Sequence, residues 1–231
     1  MLEHQDLYNT QADQYELLIS REDYQQNVLS ALNQIRPLVG LDVVELGAGT
    51  GRLTCLLAPI AKSIRAFDAS QAMLEVAMAK LRRMLSRNWT IGIADHRNLP
   101  VTAQSADLVI SGWSICYTVV YHPENWREEL GKALAEMKRV LRPGGTIILL
   151  ETQGTGHETP HPPEKLVKYY RYLEANEGFS STWIRTDYLF DSLEEAESLV
   201  RFFFGDTLAD QTVQEKWAIL PECTGIWWLT P

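Results

Sequence analysis

The sequence predicts an α/β fold: a doubly wound, mostly parallel sheet of seven strands, closed at its C-terminal end by an antiparallel hairpin. Three observations carry that prediction. Short apolar, β-branched runs alternate with helical patterns through residues 41–151, and such alternation makes βαβ units whose parallel sheet is covered on both faces. The first run passes directly into a glycine turn, Gly47-Ala48-Gly49-Thr50-Gly51, before a helix opens. Carboxylates stand at or beside the ends of three consecutive runs: Glu45, Asp68 and Asp95.

Residues 1–36 read as a helical segment, with helices over 8–19 and 23–35; Val28, Leu29, Leu32 and Ile35 fall at helical spacing. Pro37 ends the second helix, because a proline restricts the residue before it. The core runs over 37–151. Its first strand covers 41–46 and its second 63–67, ending at Asp68. Ser70 then caps a long helix with Met73, Leu74, Ala77, Met78, Leu81 and Leu85 on one face. A third strand over 89–94 ends at Asp95, a fourth covers 106–110, and a helix follows over about 123–141. Arg142-Pro143-Gly144-Gly145 turns the chain into a fifth strand over 146–151.

The remainder is less regular. Residues 152–163 form a loop, 164–176 an aromatic helix and 181–190 a strand. Together, 152–190 make an insert that either covers a satellite core or acts as a lid. Ser192-Leu193-Glu194-Glu195 is a capping box opening a helix that stops at Gly205. Strands over 213–220 and 223–229, separated by Pro221, make the closing hairpin of the 191–231 region. Residues 1–231 are expected to form one domain.

Composition excludes several classes. With 21 Lys and Arg against 30 Asp and Glu, the net charge is −9, which disfavours broad nucleic-acid binding through phosphate neutralisation. Seven Trp, nine Tyr and six Phe are enough aromatic side chains to argue against disorder. No apolar run approaches a membrane span, and the first residues do not resemble a signal peptide. Cys55, Cys116 and Cys223 are widely separated and read as reduced thiols of a cytoplasmic protein, with no disulfide framework and no cysteine zinc site. His157 and His161 have i,i+4 spacing, but the prolines at 160, 162 and 163 forbid the helix a metal pair would need. No metal site is expected. The basic run Lys80, Arg82, Arg83 and Arg87 reads as the solvated face of a helix.

The glycine turn is the informative feature. Its spacing is G-x-G-x-G, whereas a dinucleotide fingerprint places the third glycine three residues after the second. Glu45 lies two residues before the first glycine, where a pyrophosphate would tolerate no carboxylate. It suits a ligand carrying cationic groups. Asp68, 17 residues after Gly51, can accept both hydroxyls of a ribose, and Asp95 stands at the same edge of the sheet. Plainer readings exist for each feature. The loop could be an ordinary strand-to-helix turn or a nicotinamide site, Asp68 and Asp95 helix caps, and Met73 core.

At this point the chain resembles the class I (Rossmann-like) S-adenosylmethionine-dependent methyltransferases, in particular the small-molecule type. The resemblance is carried by VVELGAGTGRLT (43–54), AFDASQAML (66–74), IADHRNLP (93–100), ADLVISGWSICY (106–117) and LRPGGTIILLE (141–151), with YNTQADQYE (8–16) resembling the family's N-terminal segment. It spans about residues 5–151 in order and spacing.

The resemblance implies S-adenosyl-L-methionine as cofactor. Gly47, Ala48, Gly49 and Gly51 would line its methionine part, and Glu45 would serve its amino group. Asp68 would hold the ribose hydroxyls, with Ala69 and Met73 on the adenine. Asp95, with His96 beside it, would accept from the adenine amino group, and Ser111 would lie under the sulfur end. Tyr8, Tyr15, Trp113, Tyr117 and Tyr169 would shape an apolar acceptor pocket. The implied reaction is in-line methyl transfer to a small molecule. If the acceptor needs a general base, His96, His122 and Tyr117 are the candidates, and nothing in the sequence chooses among them. A methyltransferase acting on protein or RNA, and a non-catalytic cofactor-binding partner protein, are the alternatives. Oligomeric state is not readable.

Overall fold

The structure is a computed structural model and describes residues 4–231. Three helices open it: α1 (His4–Thr10), α2 (Ala12–Ile19) and α3 (Asn27–Ile35). The expected helix over 23–35 starts at Asn27, because Asp23 acts as its cap instead. Its carboxylate accepts from the backbone N–H groups of Asn27 and Val28 at 2.8 and 3.1 Å, satisfying donors that have no partner within the helix.

The βα units follow as the sequence predicts: β1 (Asp42–Leu46), α4 (Arg52–Leu57), β2 (Ser63–Asp68), α5 (Gln71–Arg83), β3 (Trp89–Ile93) and β4 (Ala106–Gly112). Next come α6 (Cys116–Tyr121), α7 (Trp126–Val140), β5 (Leu141–Thr155), α8 (Glu164–Ala175) and β6 (Ser180–Arg185). The chain closes with β7 (Tyr188–Leu189), α9 (Leu193–Phe204), α10 (Asp206–Gln214), β8 (Ile219–Leu220) and β9 (Glu222–Leu229). Ser70 caps α5 and Ser192 caps α9, each accepting from the N–H three residues on.

Seven strands form one sheet in the order β3-β2-β1-β4-β5-β9-β6. β1 to β5 pair in parallel, and β9 runs antiparallel between β5 and β6. Period-2 alternation divides the core. Val44, Val109, Ile147 and Leu149 face α7 and α8, whereas Val43, Leu108, Ile148 and Leu150 face α3 and α4. Every residue of β1 is buried, as expected of a central parallel strand. A third cluster (Leu18, Tyr188, Phe190, Leu199, Val200, Leu220) ties α2 to β7, β8 and α9. Strand order reverses between β1 and β4, so a crevice opens at their carboxyl ends.

One expectation for the C-terminal region is corrected. Residues 213–220 are not a strand pairing with 223–229. Helix α10 runs through Gln214, and only Ile219 and Leu220 are extended, paired with β7 in a separate two-stranded sheet. The antiparallel partners of β9 are β5 and β6. A single residue, Pro221, separates β8 from β9 and cannot reverse the chain, so the two strands enter different sheets. Val213 and Ile219, whose apolar character suggested a strand, are 38% and 42% exposed. The 152–190 segment is built into the main body: α8 buries Tyr169 and Leu173 against the sheet, and β6 is its edge strand.

Candidate active site

Two adjoining cavities occupy the crevice. The outer one, about 270 Å³, lies over the glycine turn and the ends of β2 and β3, with Gly47, Gly49, Asp68, Ala69, Met73, Asp95, His96 and His122 in its walls. The inner one, about 370 Å³, runs beneath α1, α2 and α9 and reaches the ends of β5 and β9. Tyr8, Tyr15, Gly47, Gly49, Gly112, Trp113 and Tyr117 line both. They form the seam.

The outer cavity is organised by backbone. Asp68 accepts from the N–H of Gly49 (2.8 Å) and of Ser70 (2.8 Å), so one carboxylate ties the glycine turn to the start of α5. Gly47 has φ +69°, and a Cβ there would lie 2.0 Å from Ser114 Oγ. Only glycine admits both the backbone conformation and the approach of the β4–α6 loop. Asp95 lines the cleft, but Arg97 holds it through Nε–Oδ1 (2.8 Å) and Nη2–Oδ2 (2.6 Å) bonds. Those bonds depress its pKa to about 2. His96 is driven toward its neutral form by burial and lies 3.5 Å from Ser114 Oγ.

The inner cavity is aromatic above and acidic below. Tyr8, Tyr15, Trp113, Tyr117, Tyr188, Phe203 and Phe204 supply rings, and Glu22, Glu45, Glu151 and Glu222 supply carboxyls. Glu45 accepts from Thr54 Oγ1 at 2.6 Å, and burial raises its pKa to about 8. Glu151 Oε1 accepts from the Cys116 N–H (2.9 Å) and the Tyr169 hydroxyl (3.2 Å). Glu222 Oε1 accepts from Thr152 Oγ1 (2.9 Å). Burial pushes these two up to about 7 and about 8. Glu22 is also raised by burial, with Arg52 opposing. Arg52 Nη1 donates to Glu22 at 2.6 Å, and its guanidinium lies 4.1 Å from the Trp113 ring centroid. Trp113 has φ +50°, a conformation uncommon for a non-glycine residue, and this directs the chain away from the end of β4.

Comparison with known proteins identifies the architecture. Residues 44–149 match a family described as a methyltransferase domain. Demethylmenaquinone methyltransferase of Lactococcus lactis is 29% identical over 155 residues, covering 64% of this chain and 58% of that protein. Malonyl-[acyl-carrier protein] O-methyltransferase of Hahella chejuensis is 35% identical over 109 residues, covering 46% of this chain but 35% of its own. The chain therefore spans less than two thirds of either relative. Haemonchus contortus phosphoethanolamine N-methyltransferase 2, in complex with S-adenosyl-L-methionine, superposes with a TM-score of 0.62 at 16% identity, over 100% of this chain and 60% of that one. A SAM-dependent methyltransferase from Aquifex aeolicus gives a TM-score of 0.55 at 13% identity, over 99% and 94%. At these identities the two structures establish a shared fold. Over residues 44–149 the chain is therefore similar to the methyltransferase domain family, and its fold is the one these solved methyltransferases share.

Most of the residues singled out by sequence meet at the two cavities, and three do not. Gly51 lines neither. It opens α4 at φ +81°, and a Cβ there would touch Ala77 Cβ at 3.0 Å, so it serves the packing of α4 on α5. Ser111 is buried within β4, while its neighbour Gly112 reaches the rim. Tyr169 lies behind the inner wall, and its hydroxyl positions Glu151. Of the three proton-acceptor candidates, His96 and His122 face the outer cavity, and only Tyr117 reaches the inner one. Burial holds the Tyr117 phenol well above its ordinary pKa, so it keeps its proton and its phenolate is not available as a base.

Sequence reasoning missed Glu22, Arg52, Ser114, Glu151 and Glu222. Glu151 carried a readable signal, since it closes the fifth apolar strand at the edge already marked by Asp68 and Asp95. Glu222 carried none, because its strand runs the other way.

Proposed function

We propose that this chain transfers the methyl group of S-adenosyl-L-methionine to a small-molecule acceptor held in the inner cavity. The observation that carries the proposal is the seam: a glycine-lined nucleoside cleft opens through shared walls into an aromatic chamber of about 370 Å³. That volume lies in the range of small-molecule sites.

The outer cleft fits the cofactor. Gly47 and Gly49 leave a cradle without side chains, Asp68 is held at its rim by two backbone N–H groups, and Ala69 and Met73 offer apolar contact. Glu45, which lines the inner cavity beside the seam, would serve the methionine amino group. Asp95 fits less well than the resemblance implied, because an adenine amino group would have to share it with Arg97. When bound, S-adenosylmethionine supplies a methyl group already activated by its positive sulfur, and the electron pair of the broken C–S bond stays with that sulfur. The chain's own contribution is alignment and exclusion of water. The proposal includes a cytoplasmic setting, supported by three cysteines that form no disulfide. No helix among the described residues is long and apolar enough to cross a membrane.

A thermal-shift titration with S-adenosylhomocysteine tests the cofactor reading. A ligand that binds only the folded state stabilises it, by about 2.7 kcal/mol at roughly 100-fold excess over Kd. The wild type should shift and Asp68→Ala should shift far less. No shift in the wild type removes the cofactor, and an equal shift in both removes the role of Asp68.

A further inference from the structure

We infer that the inner chamber selects its acceptor as a protonated amine, with Glu222 holding the cation and Glu151 receiving its proton. The inference rests on the methyl-transfer reading and names the acceptor's chemistry.

Besides Glu45, three carboxyl side chains line this chamber from separate elements. Glu22 comes from the α2–α3 loop, Glu151 from β5 and Glu222 from the start of β9. Glu151 and Glu222 are 1% and 2% exposed. Each has one oxygen satisfied by the protein and the other without a hydrogen-bond partner: Glu151 Oε2 and Glu222 Oε2. A buried polar atom left unpaired is costly, and far more so if charged. Among the lining residues the basic groups are Arg52, whose Nη1 pairs with Glu22 while its Nη2 has no hydrogen-bond partner, and Lys165, on the exposed turn opening α8. The unpartnered carboxyl oxygens, Glu22 Oε1, Glu151 Oε2 and Glu222 Oε2, outnumber the one unpartnered guanidinium nitrogen, Arg52 Nη2, among the described lining residues, while the walls are aromatic. A ligand carrying positive charge and several N–H groups meets both conditions, since ammonium groups pair with carboxylates and are attracted to ring faces. An alcohol could satisfy one oxygen and would leave the other unmet. A carboxylate would bring more acceptor atoms to a floor where they are already in excess.

The two acids differ in place. β5 lies beside β4, and the N–H of Trp113, at the seam, donates to the carbonyl of Leu150 at 2.6 Å. Glu151 is thus one residue from the wall shared by both cavities. β9 is one strand farther from the switch point. An ammonium nitrogen has no lone pair, so methylation requires that it first lose a proton. One N–H proton passes to Glu151 Oε2, and the freed electron pair becomes the N–C bond. The nitrogen regains its positive charge as that bond forms, and Glu151 returns its proton to solvent before the next cycle.

The test uses the whole chain with S-adenosylhomocysteine bound and three-member probe sets sharing one skeleton. The first is 2-phenylethylamine, 2-phenylethanol and phenylacetate; the second is hexylamine, hexanol and hexanoate. Calorimetric titration should give amine binding at least about tenfold tighter than the matched alcohol, with no carboxylate binding. Glu222→Gln should abolish most of that preference without changing affinity for S-adenosylhomocysteine. Glu151→Gln should retain amine binding but lose methylation of the amine by S-adenosylmethionine. Amine and alcohol binding equally in the wild type overturns the inference, and so does a preference that survives Glu222→Gln. Binding of S-adenosylhomocysteine with no amine bound also overturns it. Failure of S-adenosylhomocysteine itself to bind is a different result and removes the methyl-transfer reading instead.

Discussion

The hydroxyls of Tyr8 in α1 and Tyr117 in α6 share a 2.5 Å hydrogen bond across the seam of the two cavities. Their rings meet edge to face at 5.9 Å, and Ser70 Oγ donates to the Tyr8 carbonyl at 3.3 Å. The N-terminal helix is thereby tied to both the outer cleft and the inner chamber. A double-mutant cycle with Tyr8→Phe and Tyr117→Phe should yield a coupling energy of about 1 kcal/mol, and either variant should expose α1 to faster proteolysis. A coupling near zero would show that the bond does not hold the helix.

Gly47 should be intolerant of a side chain for two separable reasons. Gly47→Ala introduces a Cβ against Ser114 and strain at φ +69°, for an expected loss of about 1–3 kcal/mol in chemical denaturation. Adding Ser114→Gly removes the steric part only. The double variant should recover part of the stability, and full recovery would mean that backbone strain contributes nothing.

Arg52 stands against Glu22 with a carboxyl side chain that is 3% exposed. Arg52→Gln leaves that acid without its cation, and breaking one side of a buried pair typically destabilises by about 3–5 kcal/mol. Because Arg52 is 19% exposed, the lower end is expected. Glu22→Gln in the same background should restore much of the loss; if it does not, the defect comes from lost contact with Trp113.

Stability without ligand should fall as pH rises from about 6.5 to 8. Glu45, Glu151 and Glu222 are raised by burial from 4.5 to about 8, about 7 and about 8. In that window the folded chain keeps protons that the unfolded chain has released, so each upward step in pH favours unfolding. His96 works in the opposite sense, but only below its ordinary value of 6.5. Asp95, held near 2, matters only in acid. Melting temperatures across the window should decline, and Glu222→Gln should flatten the slope. A flat wild-type profile would mean that these carboxyls are already ionised in the fold.

The parallel half of the molecule was legible because local signals agreed with one another. β-Branched runs, the Ser70 and Ser192 caps and the glycine turn each specify a neighbouring element, and the order of βα units leaves few topologies. The C-terminal third was less legible. Apolar residues at 213–220 resemble a strand in isolation, and only the packing of α10 beside α9 decides that Val213 and Ile219 face outward. Ser111 and Gly51 were assigned by position in a motif, yet their neighbours Gly112 and Thr50 reach a cavity wall.

The sequence by itself determined the edge of the sheet where the outer cleft lies, because parallel strands all deliver their carboxyl ends to one side and Glu45, Asp68 and Asp95 mark those ends. It could not reveal the inner chamber. Glu222 begins an antiparallel strand, whose first residue arrives where its parallel neighbours finish, and Glu22 leaves a loop that only folding brings to Arg52. Glu22 and Glu222, 200 positions apart in sequence, converge there through sheet order and burial, which no local pattern encodes.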